Sequence, residues 1–440
     1  MKRKIVFALL LTTALAAAAT AAFRKQDVKV FSLDNGLKVL LVEDHAIPNV
    51  ALYTYFRVGS RNERPGLTGV SHFIEHMMFN GSPKFGPGEF DRRMEFAGGA
   101  NNAFTGNDMT GYTDWFPAAA LESMMAMEAD RMQDASFDPQ VLESERGVVA
   151  SERRNGENSN ESILSENVQA TAIMAHPYHW DVIGWMSDIL GWKRGEILGY
   201  YHTYYAPNNA ILILVGDFDP AKASDLIHRY YGPIPKGTPP PAVTTVEPPQ
   251  MGPKRVLIRK EAQAPSFQAV WHAPAASDPD YLPLALLENA LLGSTSSRLY
   301  KRLVREEQLA LGVGGGVSET IDPMLFTIDV RPRPGADLAR IEAVIEEELG
   351  KIKTNGITEA ELQKSLNMIR SQYYFGLQSI NGKAGALGQA EILYGSYEKA
   401  FNRMDDFGAV KRERIAEAAR KVFNENNKTV GTLVPTGGEK

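Results

Sequence analysis

His72-Phe73-Ile74-Glu75-His76 sets two imidazoles four residues apart, with a carboxylate beside the second. Positions i and i+4 of a helix share a face, with about 5–6 Å between Cβ atoms, so both rings can reach one metal ion. Glu75 lies three residues after His72 and one before His76, placed to hold a water on that ion rather than the ion itself. This is the inverted order of the HExxH zinc signature. A solvated, salt-bridged helix face would use the same residue types. Against that stand the neighbours: Val70, Phe73, Met77, Met78 and Phe79 are apolar, which predicts a mostly buried helix whose polar groups need partners.

A catalytic zinc site takes three protein ligands and keeps one position open for water. The third ligand must come from elsewhere in the chain, and the stretch from Glu143 to Arg154 offers two candidates. Glu145 and Glu152 are spaced i, i+7, two helical turns apart on a common face. Either satisfies the pattern, as does an ordinary charged helix surface.

Together these stretches resemble the pitrilysin and insulinase group of inverted-motif zinc metallopeptidases, which includes mitochondrial processing peptidase. In that family HxxEH is followed, some seventy-odd residues on, by a helix with two glutamates seven apart, the second of which completes the zinc site. Here 76 residues separate His76 from Glu152. The resemblance implies that His72, His76 and Glu152 hold one Zn²⁺ per chain, that Glu75 is the general base, and that Glu145 supports the site from behind. It extends to Asn102-Ala103-Phe104-Thr105, which matches a substrate-binding edge strand, to His176-Pro177-Tyr178, and to Tyr205-Ala206-Pro207-Asn208-Asn209 with Val215-Gly216-Asp217-Phe218.

The composition suits an exported enzyme. Met1-Lys2-Arg3-Lys4 is a basic start, Ile5 to Ala19 is apolar, and Ala19-Thr20-Ala21 offers small residues for cleavage, so residues 1–22 read as a signal peptide. An uncleaved anchor is the competing reading; the run is short and alanine-rich for a membrane span. Removing Lys2, Arg3 and Lys4 takes the formal charge from −6 to −9, which argues against nucleic acid as a partner. There is no cysteine, so neither disulfides nor thiolate ligands are available, and the signal does not end in a lipid-attachment cysteine. The expected address is periplasmic or secreted, with no stable membrane anchor.

A length of 440 residues suggests more than one domain. Residues 233–253, with Pro239-Pro240-Pro241 and Pro248-Pro249, are too proline-rich for helix or central strand and read as a semi-rigid linker. They separate a metal-bearing half, 23–232, from a second half, 254–440. The first half opens with strands near Val28–Leu33 and Leu37–Val42, joined at the turn signal Asn35-Gly36, and a third near Val50–Val58. The second half repeats this order, as an internal duplication does. Aligning Gly81-Ser82 on Gly293-Ser294 puts Leu284, Leu287 and Glu288 where His72, Glu75 and His76 stand, so the second copy cannot bind zinc there. The expected fold is α+β: two homologous sandwich-like halves, each a mixed sheet with helices packed on it, forming half of a clamshell chamber.

The resemblance implies a zinc-dependent endopeptidase acting on peptides or unfolded segments. The strand from Asn101 to Asp108 is expected to take substrate as an added strand. In family peptidases the second half supplies an arginine and, seven residues on, a tyrosine that hold substrate over the metal. Arg305 keeps the arginine; the tyrosine is replaced by Gly312 by count, or by Leu311 if Leu309-Ala310 sets the register. That departure implies a second, zinc-less chain of the same fold as partner, with a homodimer as the alternative. A non-catalytic structural or peptide-binding subunit is the other functional class open to this fold.

Overall fold

A computed structural model of the chain describes residues 23–436. The proposed signal segment 1–22 lies outside them. Two sheets organise the chain. The first has the order β1-β2-β6-β3-β5-β4, from β1 (Val28–Ser32), β2 (Lys38–Glu43), β3 (Asn49–Phe56), β4 (Ala100–Thr105), β5 (Thr110–Pro117) and β6 (Ala210–Gly216). The second has the order β7-β11-β8-β10-β9, from β7 (Lys254–Lys260), β8 (Ser266–Ala273), β9 (Ala310–Val317), β10 (Met324–Pro332) and β11 (Lys428–Pro435).

The sheets repeat one design. β2 pairs parallel with β6 as β7 does with β11, and every other contact along both sheets is antiparallel. β4 and β9 are equivalent edges; β1 alone lacks a counterpart. The chain therefore folds as two matching α/β halves.

The strand sequences follow from what covers each face. β6, Ala-Ile-Leu-Ile-Leu-Val-Gly, is buried at every residue, and β3 at all but its first, so both are apolar without alternation. One face of the first sheet carries its own half's core, including Leu52, Phe56, Phe73 and Leu214. The other carries Tyr53, Tyr55, Ile211 and Ile213 against Ile380, Ala384 and Leu387, on the helix Ile380–Tyr394 of the second half. The exchange is reciprocal: Leu164 and Val168, on the helix Asn160–Ala172 of the first half, pack with Val270, Leu325 and Leu433 of the second sheet. Each crossing helix needs a glycine at its closest approach. A Cβ on Gly388 would lie 2.2 Å from the Tyr55 ring, and one on Gly431 would lie 2.2 Å from Val168.

The proline-rich segment has no helix, strand or turn between residues 235 and 251. It is strapped down rather than loose. The Glu247 carboxylate accepts N–H bonds from Met174, Ala175 and His176 at 2.8–2.9 Å, and Gln250 Nε2 donates to Lys428 O. Among the described residues no helix is long and apolar enough to cross a membrane.

Candidate metal centre

The histidine pair lies on the helix Val70–Met77, whose Val70, Phe73, Ile74 and Met77 are fully buried, as the apolar flanks predict. The start of this helix is held by side chains outside it. Glu63 accepts the N–H groups of Gly69 (2.7 Å) and Ser71 (2.8 Å), which offsets the unpaired donors of the first turn. Tyr205 donates its hydroxyl to Ser71 O, and Tyr200 shares a hydrogen bond with Ser71 Oγ. Burial pushes the Glu63 carboxyl up to about 8, while the two N–H donors pull it down.

The glutamate helix runs Pro139–Gly156, capped by Asp138, which accepts from Gln140 N and Val141 N. Arg146 anchors it by donating to Ile189 O and Trp192 O, and the Trp192 ring rests on Phe73 of the histidine helix. Arg153 pairs with Glu166, on the helix that crosses to the second sheet. Both elements are thus fixed to one another and to the rest of the fold.

Between them, His72, His76 and Glu152 bring one ligand atom each to within 4.8 Å of one another, the one such group among the described residues. His72 Nε2 and His76 Nε2 are 3.2 Å apart; Glu152 Oε2 stands 3.9 Å from the first and 3.7 Å from the second. His76 Nδ1 meets Glu145 Oε1 at 2.8 Å. That contact places the ring proton on Nδ1 and leaves the Nε2 lone pair facing the cluster, as a metal-ligating histidine requires. Glu145 is itself held by Asn80 Nδ2 at 3.1 Å. Burial and then the neighbouring His76 push His72 down to about 4, so its imidazole is neutral at pH 7, the form that ligates. His76 moves the other way: burial lowers it, and the Glu145 hydrogen bond with the charges of Glu152, Glu145 and Glu75 outweighs burial. Two convergent Nε2 atoms and a carboxylate oxygen are a donor set that fits zinc.

Glu75 is buried beside the cluster and outside it. Its Oε2 accepts the Thr105 hydroxyl at 2.5 Å. Burial pushes its carboxyl up and the Thr105 bond pulls it down; His76 also lowers it and Glu152 raises it. Of the expected substrate strand, Ala100–Thr105 is extended at the sheet edge, with Phe104 half-exposed and edge-on to Tyr55. The strand ends sooner than its sequence suggests. Gly106 N donates to Met109 O, closing a tight turn, so Asn107 and Asp108 belong to the turn.

Arg305 stands in the second half, on a π-type turn at Tyr300–Glu306, exposed over the Tyr300 ring and without an ion pair among the described residues. Among the described residues no hydrogen bond or ion pair links Arg305 to the site cluster. Leu311 is 54 % exposed on β9, whereas a Cβ on Gly312 would lie 2.9 Å from the Arg331 guanidinium. Of these two positions, Leu311 is the one with an exposed side chain. Asn80, Glu63 and Thr105 as a partner of Glu75 escaped the sequence reading; only Asn80, one turn past His76, carried a periodic signal.

Residues 38–184 match the insulinase profile of peptidase family M16, and residues 191–369 match its peptidase M16 inactive domain. Zinc protease PqqE of Helicobacter pylori is 28% identical over 411 residues, covering 92% of each chain. The uncharacterized zinc protease YmxG of Bacillus subtilis is 26% identical over 412 residues, covering 93% of this chain and 99% of its own. The crystal structure of a protease from Helicobacter pylori superposes with a TM-score of 0.89 at 27% identity, over 93% of this chain and 99% of that one. With both halves matched and this metal-binding geometry in the first, the chain belongs to the insulinase family of peptidases, M16.

Proposed function

We infer that the protein is a zinc metalloendopeptidase that hydrolyses peptides or unfolded segments. The observation that carries this reading is the convergence of His72, His76 and Glu152 with Glu75 buried beside them and outside the donor set. His72, His76 and Glu152 would hold one Zn²⁺. Zinc, when bound, polarises a carbonyl and lowers the pKa of its water from about 15.7 to about 7.

The chain's own residues do the rest. Thr105 occupies Glu75 Oε2, which leaves Oε1 to accept the proton of the attacking water and return it to the leaving amine. Glu145 fixes the His76 tautomer, and Asn80 fixes Glu145. A peptide added along β4 takes its main-chain hydrogen bonds from the free edge of that strand, so affinity is largely independent of sequence. Asn102, Ala103, Phe104 and Thr105 line that edge.

Arg305 is the second half's contribution to substrate, and the exposed Leu311 is its deficit. This favours a heterodimer with a zinc-less chain of the same fold that carries an intact arginine and tyrosine; a homodimer is the alternative. Residues 1–22 support export to the periplasm or medium. The deciding experiment measures bound zinc and peptide cleavage on the purified chain, alone and with candidate partners. Stoichiometric zinc with Glu75-dependent cleavage is expected. Zinc without cleavage in any pairing would instead favour a non-catalytic peptide-binding subunit.

A further inference from the structure

The 3₁₀ turn Ser60–Asn62 joins the turn between β4 and β5 to the second half. The N–H groups of Ser60 and Arg61 donate to Gly106 O (3.2 Å) and Asn107 O (3.0 Å), which hold the turn between β4 and β5. The next residue, Glu63, grips the start of the histidine helix. The Arg61 side chain leaves the first half: its Nε lies 3.0 Å from Asp322 Oδ2, and its Nη2 donates to the same atom. Asp322 lies in the second half, in the turn between β9 and β10.

His176 and Tyr178, from the signature that the zinc chemistry does not use, complete this junction. His176 Nδ1 accepts the Tyr178 N–H, so Nε2 is the donor of the ring, and it meets Asp322 Oδ2 at 3.1 Å. Asp108, in the β4–β5 turn, accepts the Tyr178 hydroxyl and, at 3.0 Å, the N–H of Ile321 from the second half. Asp108 and His176 are only 5% and 3% exposed, so the Asp108 bonds form away from water, where they are strongest, while Asp322 keeps 31% of its side chain exposed. The His176 bond, working against burial and joined by Arg61, holds the Asp322 carboxyl down at about 2.

We propose that Asp322, on the half without metal ligands, is a positioning residue for the peptide-binding edge of the other half. Arg61 stands between two carboxylates, Asp322 at 3.0 Å and Asp108 at 3.5 Å. With Asp322 in place, Arg61 is drawn toward the second half, and the β4–β5 turn is set relative to the histidine helix. Without it, Arg61 closes on Asp108 and pulls on the hairpin that carries Ala100–Thr105. The second half then serves catalysis by geometry, with no chemistry of its own. The proposal rests on the reading of β4 as the substrate strand.

The test uses the full chain with Asp322→Ala and the conservative Asp322→Asn, which keeps an acceptor for Arg61 and His176. Displacing a bound peptide by about 1 Å can cost about 10²-fold in rate, so kcat for Asp322→Ala should fall about 10–10²-fold with little change in KM. Zinc affinity, measured by chelator competition, should stay near wild type. Amide exchange should quicken across residues 101–111 and not in the histidine helix. Asp322→Asn should keep more of kcat than Asp322→Ala, and the two falling equally would count against a hydrogen-bonded positioning role. Unchanged exchange at 101–111 in a folded Asp322→Ala would overturn the proposal, as would zinc affinity falling in step with kcat. Should the wild-type chain and every pairing lack peptidase activity, the peptidase reading falls alone and the exchange arm still decides.

Discussion

The helix Val70–Met77 and the helix Tyr281–Leu291 follow equivalent strands, β3 and β8, and pack beside equivalent edges, β4 and β9. One offers His72, Glu75 and His76; the other offers Leu284 and Leu287, both fully buried, and Glu288. A fully buried leucine stabilises by about 1.5–3 kcal/mol, whereas a buried ionisable group costs free energy unless it is paired. The second half therefore spends its helix on the core, and the first maintains a polar cluster that needs Glu145, Asn80 and Thr105 to satisfy it. Both helices reach their edge strand, but from different positions: Glu75 takes the Thr105 hydroxyl, and Glu288, aligned with His76, takes the Val317 N–H at 3.1 Å.

The comparison is sharpest at Glu75, whose equivalent is a leucine. Glu75→Gln should keep zinc, because the side chain lies outside the donor set, and should lose the general-base contribution of about 10²–10⁴ in rate. Metal analysis beside steady-state cleavage checks both halves of that statement. Near wild-type turnover in this variant would remove Glu75 from the chemistry.

The next largest effect concerns the tyrosine that the resemblance leads one to expect in the second half. One missing donor to the developing oxyanion commonly costs about 10²–10³ in kcat. The chain alone should bind zinc and cleave poorly, and a zinc-less partner with an intact arginine and tyrosine should restore activity, with mass followed by light scattering. Leu311→Tyr should raise cleavage by the chain alone, since that side chain is exposed. Full activity from the unmodified chain, with no gain on mixing, would end the two-subunit reading and leave the metal centre untouched.

The sequence makes the histidine helix and the glutamate helix legible because each motif is local: spacings of four and seven residues are periodicities of one helix. Apolar flanks, the Asn35-Gly36 turn and the proline-rich segment are local in the same way. What could not be read are pairings across distance. Asn80 reaches Glu145 over 65 residues, Arg61 reaches Asp322 over 261, and no periodicity encodes either. The end of β4 was hidden for another reason. Gly106-Asn107-Asp108-Met109 continues a polar run that suits an edge strand as well as a turn, and only the Gly106 to Met109 bond separates the two.

A smaller effect distinguishes the two glutamates. Glu152→Ala removes one of three donors and should lower zinc content and activity together. Glu145→Ala leaves the donors in place and frees the His76 ring, which should cost about 10–100-fold in metal affinity or rate. Zinc titrations on both variants would settle the order, and a reversal would move the ligand role to Glu145.

The smallest expected effect tests which backbone groups of β4 face a substrate. Hydrogen-bonded and non-bonded pairs alternate along an antiparallel ladder. Gly106 bonds Met109 across the turn, so the Phe104–Gly111 and Asn102–Thr113 pairs are bonded within the sheet. The N–H groups of Asn101, Ala103 and Thr105 then point outward. Proline at Phe104 would break the sheet's own ladder, whereas Ala103→Pro removes an outward donor and leaves the pairing with β5 intact. One such hydrogen bond is worth about 0.5–1.5 kcal/mol, so Ala103→Pro should raise KM by up to about tenfold for peptides of unrelated sequence, with zinc content unchanged. An unaltered KM across several peptides, in a variant whose β4–β5 amides keep their exchange protection, would move the binding edge away from this strand.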